Sequence, residues 1–461
     1  MIFEQHYLDC LSQASYLIGD ETTGRAVVVD PRRDVSAYLE SAAEHGLSIE
    51  LVIETHFHAD FLSGHLELAA ATGAAIAYGA SAQTEFESRK LADGERISLG
   101  EVTLEVRHTP GHTPESISVV VYEHPDDETP YGVLTGDALF IGDVGRPDLL
   151  SAKGTTSDVL AGQLYDSLHG KLLTLPDATR VYPAHGAGSS CGKNLSTDTW
   201  STIGEQRTSN YALAPMSKDQ FVAAVTDGQS APPAYFSFDA EKNRALHEIF
   251  DETVPPTALS LSEVLQHQRD GAIVLDTRDP NEFAVGHLAG SVNVGLSGRY
   301  AEYAGGVIQP GATIVLVTEP GTELEARNRL ARIGFDSVVG YLEDPIRALQ
   351  AHAEAVVRSS RVAVAQLVDA IATVEDLQVV DVRQPGETAD GVIAGAVLVP
   401  LTQLNEKLAS LDASRPTVVY CAGGFRSSIA ASRMAAVGFE DVSDLLGGYG
   451  AWLSAHEPTP T

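Results

Sequence analysis

A sequence of 461 residues is too long for one ordinary hydrophobic core and predicts two or three domains. Its formal net charge of -33, from 30 lysines and arginines against 63 acidic residues, opposes binding to a phosphate backbone and argues against a nucleic-acid partner. The sequence shows neither an apolar run that could span a bilayer nor the pattern of a signal peptide, so we expect a cytoplasmic protein with no membrane partner.

Residues 1 to about 250 alternate short apolar runs with helix-like segments, a pattern typical of layered α/β structure. Runs such as "AVVVD", "IELVIE" and "YGVLTG" predict strands. The paired prolines of "DETVPPTALS" interrupt the pattern and predict a linker over residues 251–258. We therefore assign residues 1–252 to the first domain.

Histidines and aspartates follow several of these strands at the points where the strands end. The residues in such positions are His56, His58, Asp60, His112, Asp137 and His185. The loops beyond the carboxyl ends of strands share one edge of a layered α/β fold, so these side chains can converge there. Any one of them alone would be interpreted as an ordinary surface residue, but together they predict a metal centre. Imidazole and carboxylate ligands suit zinc or iron(II).

The run "HFHAD", together with "PGHT", "TGDAL" and "PAHG", resembles the metallo-β-lactamase fold. The resemblance implies an αββα sandwich for the first domain. Many members of that fold carry His-x-His-x-Asp-His, whose last histidine helps to hold a second metal for hydrolysis. Phe61 stands at that position here, and a phenyl ring has no lone pair to donate. A second site would keep Asp60, His185 and a shared Asp137, so the phenylalanine weakens a dinuclear centre without abolishing it.

The longer strings "THFHADFLSGH", "HTPGHTPES", "TGDALFIGDVGRPDL" and "VYPAHGAGSSCGKN" are similar to the persulfide dioxygenase branch of this fold. That resemblance implies one iron(II) ion per chain, held by His56, His112 and Asp137, with zinc as the alternative metal. It implies that the other motif residues support the site without binding the iron: His58, Asp60 and His185.

Three further residues are candidates for substrate binding. Arg146 and Asp148 belong to the signature "GRPD", where a cation could orient an anionic persulfide or instead form a salt bridge between loops. Cys191 follows His185 by six positions in a loop rich in glycine and serine. It either faces the pocket or is a buried, idle thiol.

An internal repeat follows the linker. "VLDTRDPNEFAVGHLAGSVNV" at residues 274–294 aligns without gaps with "VVDVRQPGETADGVIAGAVLV" at residues 379–399. Each copy continues into an apolar strand and then a helix, which predicts two α/β domains. We assign them to residues 259–357 and 359–461.

The second copy places Cys421 directly after the strand "TVVYC", in a loop that Arg426 closes. Backbone N–H groups of small residues and the N-terminus of the next helix stabilise an anion in such a loop. The residues between the two side chains form the predicted cradle for a persulfide: Ala422, Gly423, Gly424 and Phe425.

The motif Cys-x-x-Gly-x-Arg, with "DVRQPGE" and the closing "GGYGAW", resembles a rhodanese sulfurtransferase. The resemblance implies that Cys421 accepts a sulfane sulfur and passes it to a nucleophile, with Arg426 beside it. In the first copy the corresponding loop reads "VLVTEPGTELEARN", so Val317 or Thr318 replaces the cysteine. We expect the domain of residues 259–357 to be catalytically inactive.

Over its whole length the sequence resembles fusions of a persulfide dioxygenase with a sulfurtransferase. This implies oxidation of glutathione or coenzyme A persulfide by O2 to sulfite, followed by sulfane transfer through Cys421 to sulfite, which gives thiosulfate. The expected partners are therefore the persulfide, O2 and sulfite, and assembly into a homo-oligomer is left open.

Two other functions compete with this one. A dinuclear zinc thioesterase of the glyoxalase II kind would carry the sulfurtransferase domain as an appendage. A sulfur carrier or sensor would instead relay persulfide to a partner protein.

Overall fold

A computed structural model describes residues 1–149, 155–229, 231–389 and 391–456. The last residues of the predicted third domain, 457–461, lie outside the described residues. The chain divides into two compact units, residues 1–232 with 236–251 and residues 233–235 with 252–461. No helix among the described residues has both the length and the apolar character that a membrane crossing requires.

The first unit contains two six-stranded sheets. The strands of the first sheet lie in chain order: β1 (Ile2–Leu8), β2 (Gln13–Asp20), β3 (Arg25–Val29), β4 (Ser48–Ile53), β5 (Ala75–Gly79) and β6 (Arg89–Leu91). The strands of the second sheet are also neighbours in chain order: β7 (Arg96–Ser98), β8 (Thr103–His108), β9 (Ile117–Tyr122), β10 (Gly132–Gly136), β11 (Arg180–Pro183) and β12 (Ser201–Thr202). Each sheet buries apolar side chains on both faces, which explains the nearly continuous apolar runs of its strands.

Helices occur between and after the strands of these sheets. They are α1 (Ser36–Glu44), α2 (His65–Thr72), α3 (Ser157–Ser167), α4 (Ile203–Ser209), α5 (Lys218–Thr226) and α6 (Tyr235–Lys242). Tyr38 and Leu68 pack α1 and α2 on the first sheet, and Leu164 and Phe221 pack α3 and α5 on the second. The inner faces of the two sheets share one core. The layers are therefore αββα, which confirms the predicted fold class.

The second unit begins with a five-stranded parallel sheet in the order β13-β18-β17-β14-β16. Its strands and the small β15–β19 pair are β13 (Ala258–Leu259), β14 (Ile273–Asp276), β15 (His287–Leu288), β16 (Val292–Asn293), β17 (Ile314–Val317), β18 (Val338–Leu342) and β19 (Val356–Val357). Its helices are α7 (Leu261–Arg269), α8 (Pro280–Val285), α9 (Tyr300–Val307), α10 (Glu323–Ala331) and α11 (Pro345–Ala351).

A second parallel sheet repeats this order as β20-β24-β23-β21-β22. Its strands are β20 (Ser360–Val362), β21 (Gln378–Asp381), β22 (Val397–Leu398), β23 (Thr417–Tyr420) and β24 (Val442–Leu445). Its helices are α12 (Val364–Thr373), α13 (Leu404–Lys407), α14 (Phe425–Ala436) and α15 (Gly448–His456). In both sheets the strands occur in the spatial order first, fifth, fourth, second, third, so the sequence repeat is also a structural repeat.

Candidate active sites

Two histidines and one aspartate from different loops converge in the first unit. His56 follows β4, His112 lies between β8 and β9, and Asp137 directly follows β10. Asp137 Oδ2 lies 3.8 Å from His56 Nε2 and 3.4 Å from His112 Nε2. All three side chains are buried, and their ligand atoms lie within 4.8 Å of one another. Because the strands end at one edge of the sandwich, residues distant in sequence can form a single metal site.

Each of these three side chains has a second polar atom that contacts a neighbouring residue and fixes the orientation of the side chain. His112 Nδ1 lies 2.8 Å from the backbone oxygen of Arg146, and His56 Nδ1 lies 2.9 Å from Thr55 Oγ1. The other oxygen of Asp137 accepts a hydrogen bond from His185 Nδ1 at 2.7 Å. Hydrogen bonds of this kind fix the ring orientation of histidines that bind metals.

The electrostatics of the triad also fit a cation. Asp137 Oδ2 is buried and has no hydrogen-bond partner among the described residues. Burial alone would raise the pKa of Asp137, but His185 and His56 hold it well below its usual range. Burial and the neighbouring His58 lower the pKa of His56, which favours the neutral imidazole that binds metals. Two imidazoles and one carboxylate suit iron(II) or zinc.

Gly145 allows its own loop to pass close to two of the ligands. A Cβ atom at this position would lie 2.0 Å from the backbone oxygen of Asp137 and 3.0 Å from His112 Nδ1. Any side chain here would therefore displace the ligand loops.

The structure gathers the residues predicted to support the site into a second cluster. His58, Asp60 and His185 offer ligand atoms within 4.8 Å of one another, and His185 Nε2 lies 2.8 Å from Asp60 Oδ2. Phe61 packs against this cluster, and the centroid of its ring lies 4.3 Å from the centroid of the His58 ring. A phenyl ring thus occupies the space beside the second cluster, where the common motif has a histidine.

His58 makes close contacts with two further acidic residues. Its Nε2 atom lies 3.1 Å from Asp30 Oδ1 and 3.4 Å from Glu54 Oε2. Burial alone would lower the pKa of His58, but Asp30 and Glu54 raise it to about 10. Ser63 donates a hydrogen bond to Glu54 and extends this buried network.

Sequence reasoning missed three residues that shape the loop after β4. Asp30 and Glu54 each directly follow a strand, as Asp137 does, and that position is the signal that could have identified them. Asn243 donates to the backbone oxygens of His58 and Phe61 at 2.8 and 2.9 Å, and it lies far along the chain with no motif around it. Nothing in the local sequence marks Asn243.

The Arg146 side chain is buried, and its guanidinium forms a bidentate salt bridge with Asp148 in which both N–O distances are 2.7 Å. A third N–H group donates to the backbone oxygen of Ser190 at 3.2 Å. The Arg146–Asp148 salt bridge lies within one loop, and the hydrogen bond to Ser190 is what links two loops. The substrate-binding role of Arg146 stays a prediction. Because the backbone oxygen of Arg146 orients His112, these contacts also support the metal triad.

Cys191 lies beside residues of the candidate metal site. Its sulfur, Asp137 and His185 form a group of possible ligands within 4.8 Å of one another. Burial raises the pKa of the Cys191 thiol well above its usual range, and the charges of Asp60 and Asp137 raise it further. The thiol therefore faces the metal centre.

Cys421 occupies the predicted loop in the second unit, directly after β23. Its sulfur is buried and accepts a hydrogen bond from the backbone N–H of Gly424 at 3.0 Å. Gly424 has φ +95°, a conformation that favours glycine, and α14 begins at the next residue. The "GGYGAW" segment supports the loop from behind, since the N–H of Tyr449 donates to the Cys421 backbone oxygen at 2.7 Å.

Arg426 closes the loop but is not free. Its guanidinium donates two hydrogen bonds to Glu387, at 2.7 and 2.5 Å. Burial alone would raise the pKa of Glu387, but the Arg426 hydrogen bond lowers it, so the pair is ionised. Glu387 lies 39 positions before Arg426 in the chain, and its role depends on this contact.

Strand pairing identifies which residue replaces the cysteine in the first repeat. Asp276 pairs with Val317, and the equivalent Asp381 pairs with Tyr420, so Thr318 stands where Cys421 stands. This register decides between the two positions left open by the sequence. Thr318 is buried and has no hydroxyl hydrogen bond among the described residues.

The comparisons with known proteins agree with both halves of this architecture. Residues 8–185 match the metallo-beta-lactamase superfamily, and residues 260–352 and 363–455 each match the rhodanese-like domain. The fold and its sites thus define a metallo-β-lactamase domain with a candidate metal site, followed by two rhodanese-like domains.

Three relatives illustrate the similarity. The mitochondrial persulfide dioxygenase ETHE1 of Bos taurus is 30% identical over 233 residues, which cover 50% of this chain and 82% of that protein. The cytoplasmic hydroxyacylglutathione hydrolase of Arabidopsis thaliana is 35% identical over 182 residues, which cover 39% of this chain and 66% of that protein. A crystal structure of a metallo-beta-lactamase from Staphylococcus aureus subsp. aureus COL superposes with a TM-score of 0.66 and 33% identity, covering 74% of this chain and 98% of that one.

The chain belongs to the metallo-β-lactamase superfamily, and its first domain is homologous to the persulfide dioxygenases. Two rhodanese-like domains follow that domain in the same chain. This relationship links the chain to sulfur metabolism and implies a metal in the first unit.

Proposed function

We propose that the chain is a bifunctional enzyme that oxidises a low-molecular-weight persulfide with O2 to sulfite and transfers a sulfane sulfur through Cys421 to sulfite. The candidate substrates are glutathione persulfide and coenzyme A persulfide. The observation that carries the proposal is the convergence of His56, His112 and Asp137 beside Phe61. The similarity to persulfide dioxygenases and the preserved cysteine loop support it.

In the first reaction, RSSH, O2 and water give RSH, sulfite and two protons. One ferrous ion per chain would supply the redox chemistry that activates O2 when it is bound. His56, His112 and Asp137 would hold this ion, and two imidazoles with one carboxylate are the ligand set of mononuclear non-haem iron enzymes. Arg146 and His185 would keep two of these ligands in place through the hydrogen bonds described above.

In the second reaction, the Cys421 thiolate attacks the outer sulfur of a persulfide, and the thiolate RS⁻ leaves. The sulfur lone pair of sulfite then attacks the sulfane sulfur on Cys421. The sulfur–sulfur bond breaks, its electron pair returns to Cys421, and thiosulfate leaves. The N–H of Gly424 donates to this sulfur, and the nearby positive charge of Arg426 acts on Cys421, so both would stabilise its negative charge.

The product of the first site is a substrate of the second, which gives the fusion a chemical reason. Tethering two active sites in one chain raises the local concentration of the shared compound. Sulfite released by the first unit would then be consumed before it diffuses away.

Anaerobic metal analysis and product assays test the proposal directly. The full chain is expected to bind one iron ion, to consume O2 with glutathione or coenzyme A persulfide, and to release thiosulfate. Two zinc ions per chain with no oxygen uptake on any persulfide would contradict the dioxygenase assignment.

Phe61 controls the number of metal ions in this proposal. Phe61→His is expected to add a ligand to the cluster of His58, Asp60 and His185 and to raise the metal content towards two ions per chain. Phe61→Leu is the matched control, because it removes the ring without adding a lone pair. If Phe61→His bound one ion with wild-type activity, this position would not determine nuclearity.

The similarity to a hydroxyacylglutathione hydrolase favours a second candidate, a zinc-dependent thioesterase. It predicts hydrolysis of acylglutathione thioesters by the zinc-loaded chain. The iron-loaded chain is instead expected to leave such thioesters intact while it oxidises persulfides.

A further inference from the structure

The cysteine-free rhodanese-like domain packs against the loop that carries Cys421. Arg361 Nη1 donates to Asn281 Oδ1 at 2.6 Å, and its Nη2 atom lies 3.4 Å from the backbone oxygen of Gly424. A Cβ atom at Gly295 would lie 3.4 Å from the ring of Phe425. The first repeat thus forms one wall of the loop in the second.

Tyr303 is the aromatic residue of this wall. It lies on α9, which packs against α14, and its ring centroid is 5.6 Å from that of Phe425. Its side chain is half-buried, and its hydroxyl makes no hydrogen bond within the part of the chain that the structure describes. A donor is therefore available beside the residues that follow Cys421.

Burial, together with the negative charges near Tyr303, keeps this donor protonated. Burial raises the pKa of the Tyr303 phenol, and the negative charge of Glu302 raises it further. Cys421 acts in the same direction, while Arg426 opposes it, so both side chains are close enough to influence the phenol. A protonated phenol is uncharged and can donate a hydrogen bond to an anion.

Sulfane transfer from Cys421 to sulfite brings two anions together. The acceptor sulfite carries two negative charges and approaches a persulfide that is itself an anion. The nearby guanidinium of Arg426 is already bound to Glu387, so it cannot neutralise the acceptor fully. Hydrogen bonds from neutral groups would have to supply the remaining stabilisation.

We propose that the Tyr303 hydroxyl of the inactive domain binds an oxygen atom of the sulfur oxyanion that accepts the sulfane sulfur from Cys421. This deepens the function proposed above and rests on it. The step is the one already balanced: sulfite attacks the outer sulfur, the sulfur–sulfur bond breaks, and Cys421 keeps the electron pair. The inactive domain would thus be part of the acceptor site.

Steady-state kinetics of the full chain with sulfite as the varied substrate test this role. Tyr303→Phe is expected to raise KM for sulfite about tenfold, the loss typical of one hydrogen bond to a charged group. The value of kcat at saturating sulfite, and the rate at which glutathione persulfide loads Cys421, should not change, because the hydroxyl contacts only the acceptor. Mass spectrometry of the persulfidated chain measures the loading rate.

Tyr300→Phe is the matched control. Tyr300 begins the same helix, is fully buried and lies beside Arg329, so its hydroxyl is out of reach of the acceptor. An unchanged KM for sulfite in Tyr303→Phe, or an equal increase in Tyr300→Phe, would overturn the role of Tyr303. If the wild-type chain itself transferred no sulfur to sulfite, the proposed function would fail instead.

Discussion

The two rhodanese-like repeats share a scaffold and differ in one loop. Their sheets have the same strand order, and each buries an Asp–Arg pair at the end of its second strand: Asp276 with Arg278, and Asp381 with Arg383. The loop glycines also agree, with φ +90° at Gly321 and φ +95° at Gly424. The first repeat therefore has the same glycine conformation in this loop although it lacks the cysteine.

The side chains of that loop have opposite charge in the two repeats. Where the second repeat has Cys421 and Arg426, the first has Thr318 and Glu323. The N–H of Gly321 donates a hydrogen bond to the Glu323 carboxylate at 2.9 Å. The equivalent N–H in the second repeat, that of Gly424, donates to the Cys421 sulfur. A fold can thus be retained while the site grafted on it changes from an anion cradle to an acidic loop.

The largest expected effect is at the cysteine itself. Cys421→Ser should reduce thiosulfate formation to the uncatalysed background while oxygen consumption continues, so that sulfite accumulates as the product. Thr318→Ala, at the equivalent position, should change neither rate. Oxygen-electrode traces with chromatography of the sulfur anions provide the measurement, and loss of both activities in Cys421→Ser would show that the two sites are not separable.

The shared scaffold predicts equal losses of stability in the two repeats. Asp276→Ala and Asp381→Ala each leave a buried guanidinium without its carboxylate, which typically costs about 3–5 kcal/mol. Hydrogen exchange of the amides in each repeat can measure the local unfolding free energy, with the exposed Asp369→Ala as a control. A large loss in only one repeat would mean that the pair is not a common structural element.

A smaller effect is expected when a thiol is added to the inactive loop. Thr318→Cys in a Cys421→Ser background should not restore thiosulfate formation, because Glu319 and Glu323 repel the persulfide anion. Changing both acids as well, Glu319→Ala with Glu323→Arg, should restore part of it. Activity from Thr318→Cys alone would show that the cysteine, and not the surrounding charge, determines which repeat is active.

Much of this organisation could be predicted because its signals are local. The strings around His56, His112 and Asp137 identify candidate ligands, since each follows a strand that its own apolar run predicts. The repeat likewise appears in a gapless alignment, and Cys421 is marked by the small residues that follow it. The absent histidine at Phe61 could also be seen without coordinates.

Other features depend on contacts between distant residues. Asn243 holds the loop of His58 and Phe61 from the far end of the first unit, and Glu387 binds Arg426 across the second repeat. Tyr303 lies beside the cysteine loop only because the two repeats pack together.

By itself the sequence determined the kinds of ligand and nucleophile, because these are chemical properties of single residues at strand ends. The tertiary structure decided which partner each of these side chains contacts. It directed His58 towards Asp30, placed Thr318 in the register of Cys421, and paired Arg426 with Glu387. Register, side-chain direction and charge pairing arise from packing between segments far apart in the chain, and no local pattern encodes them.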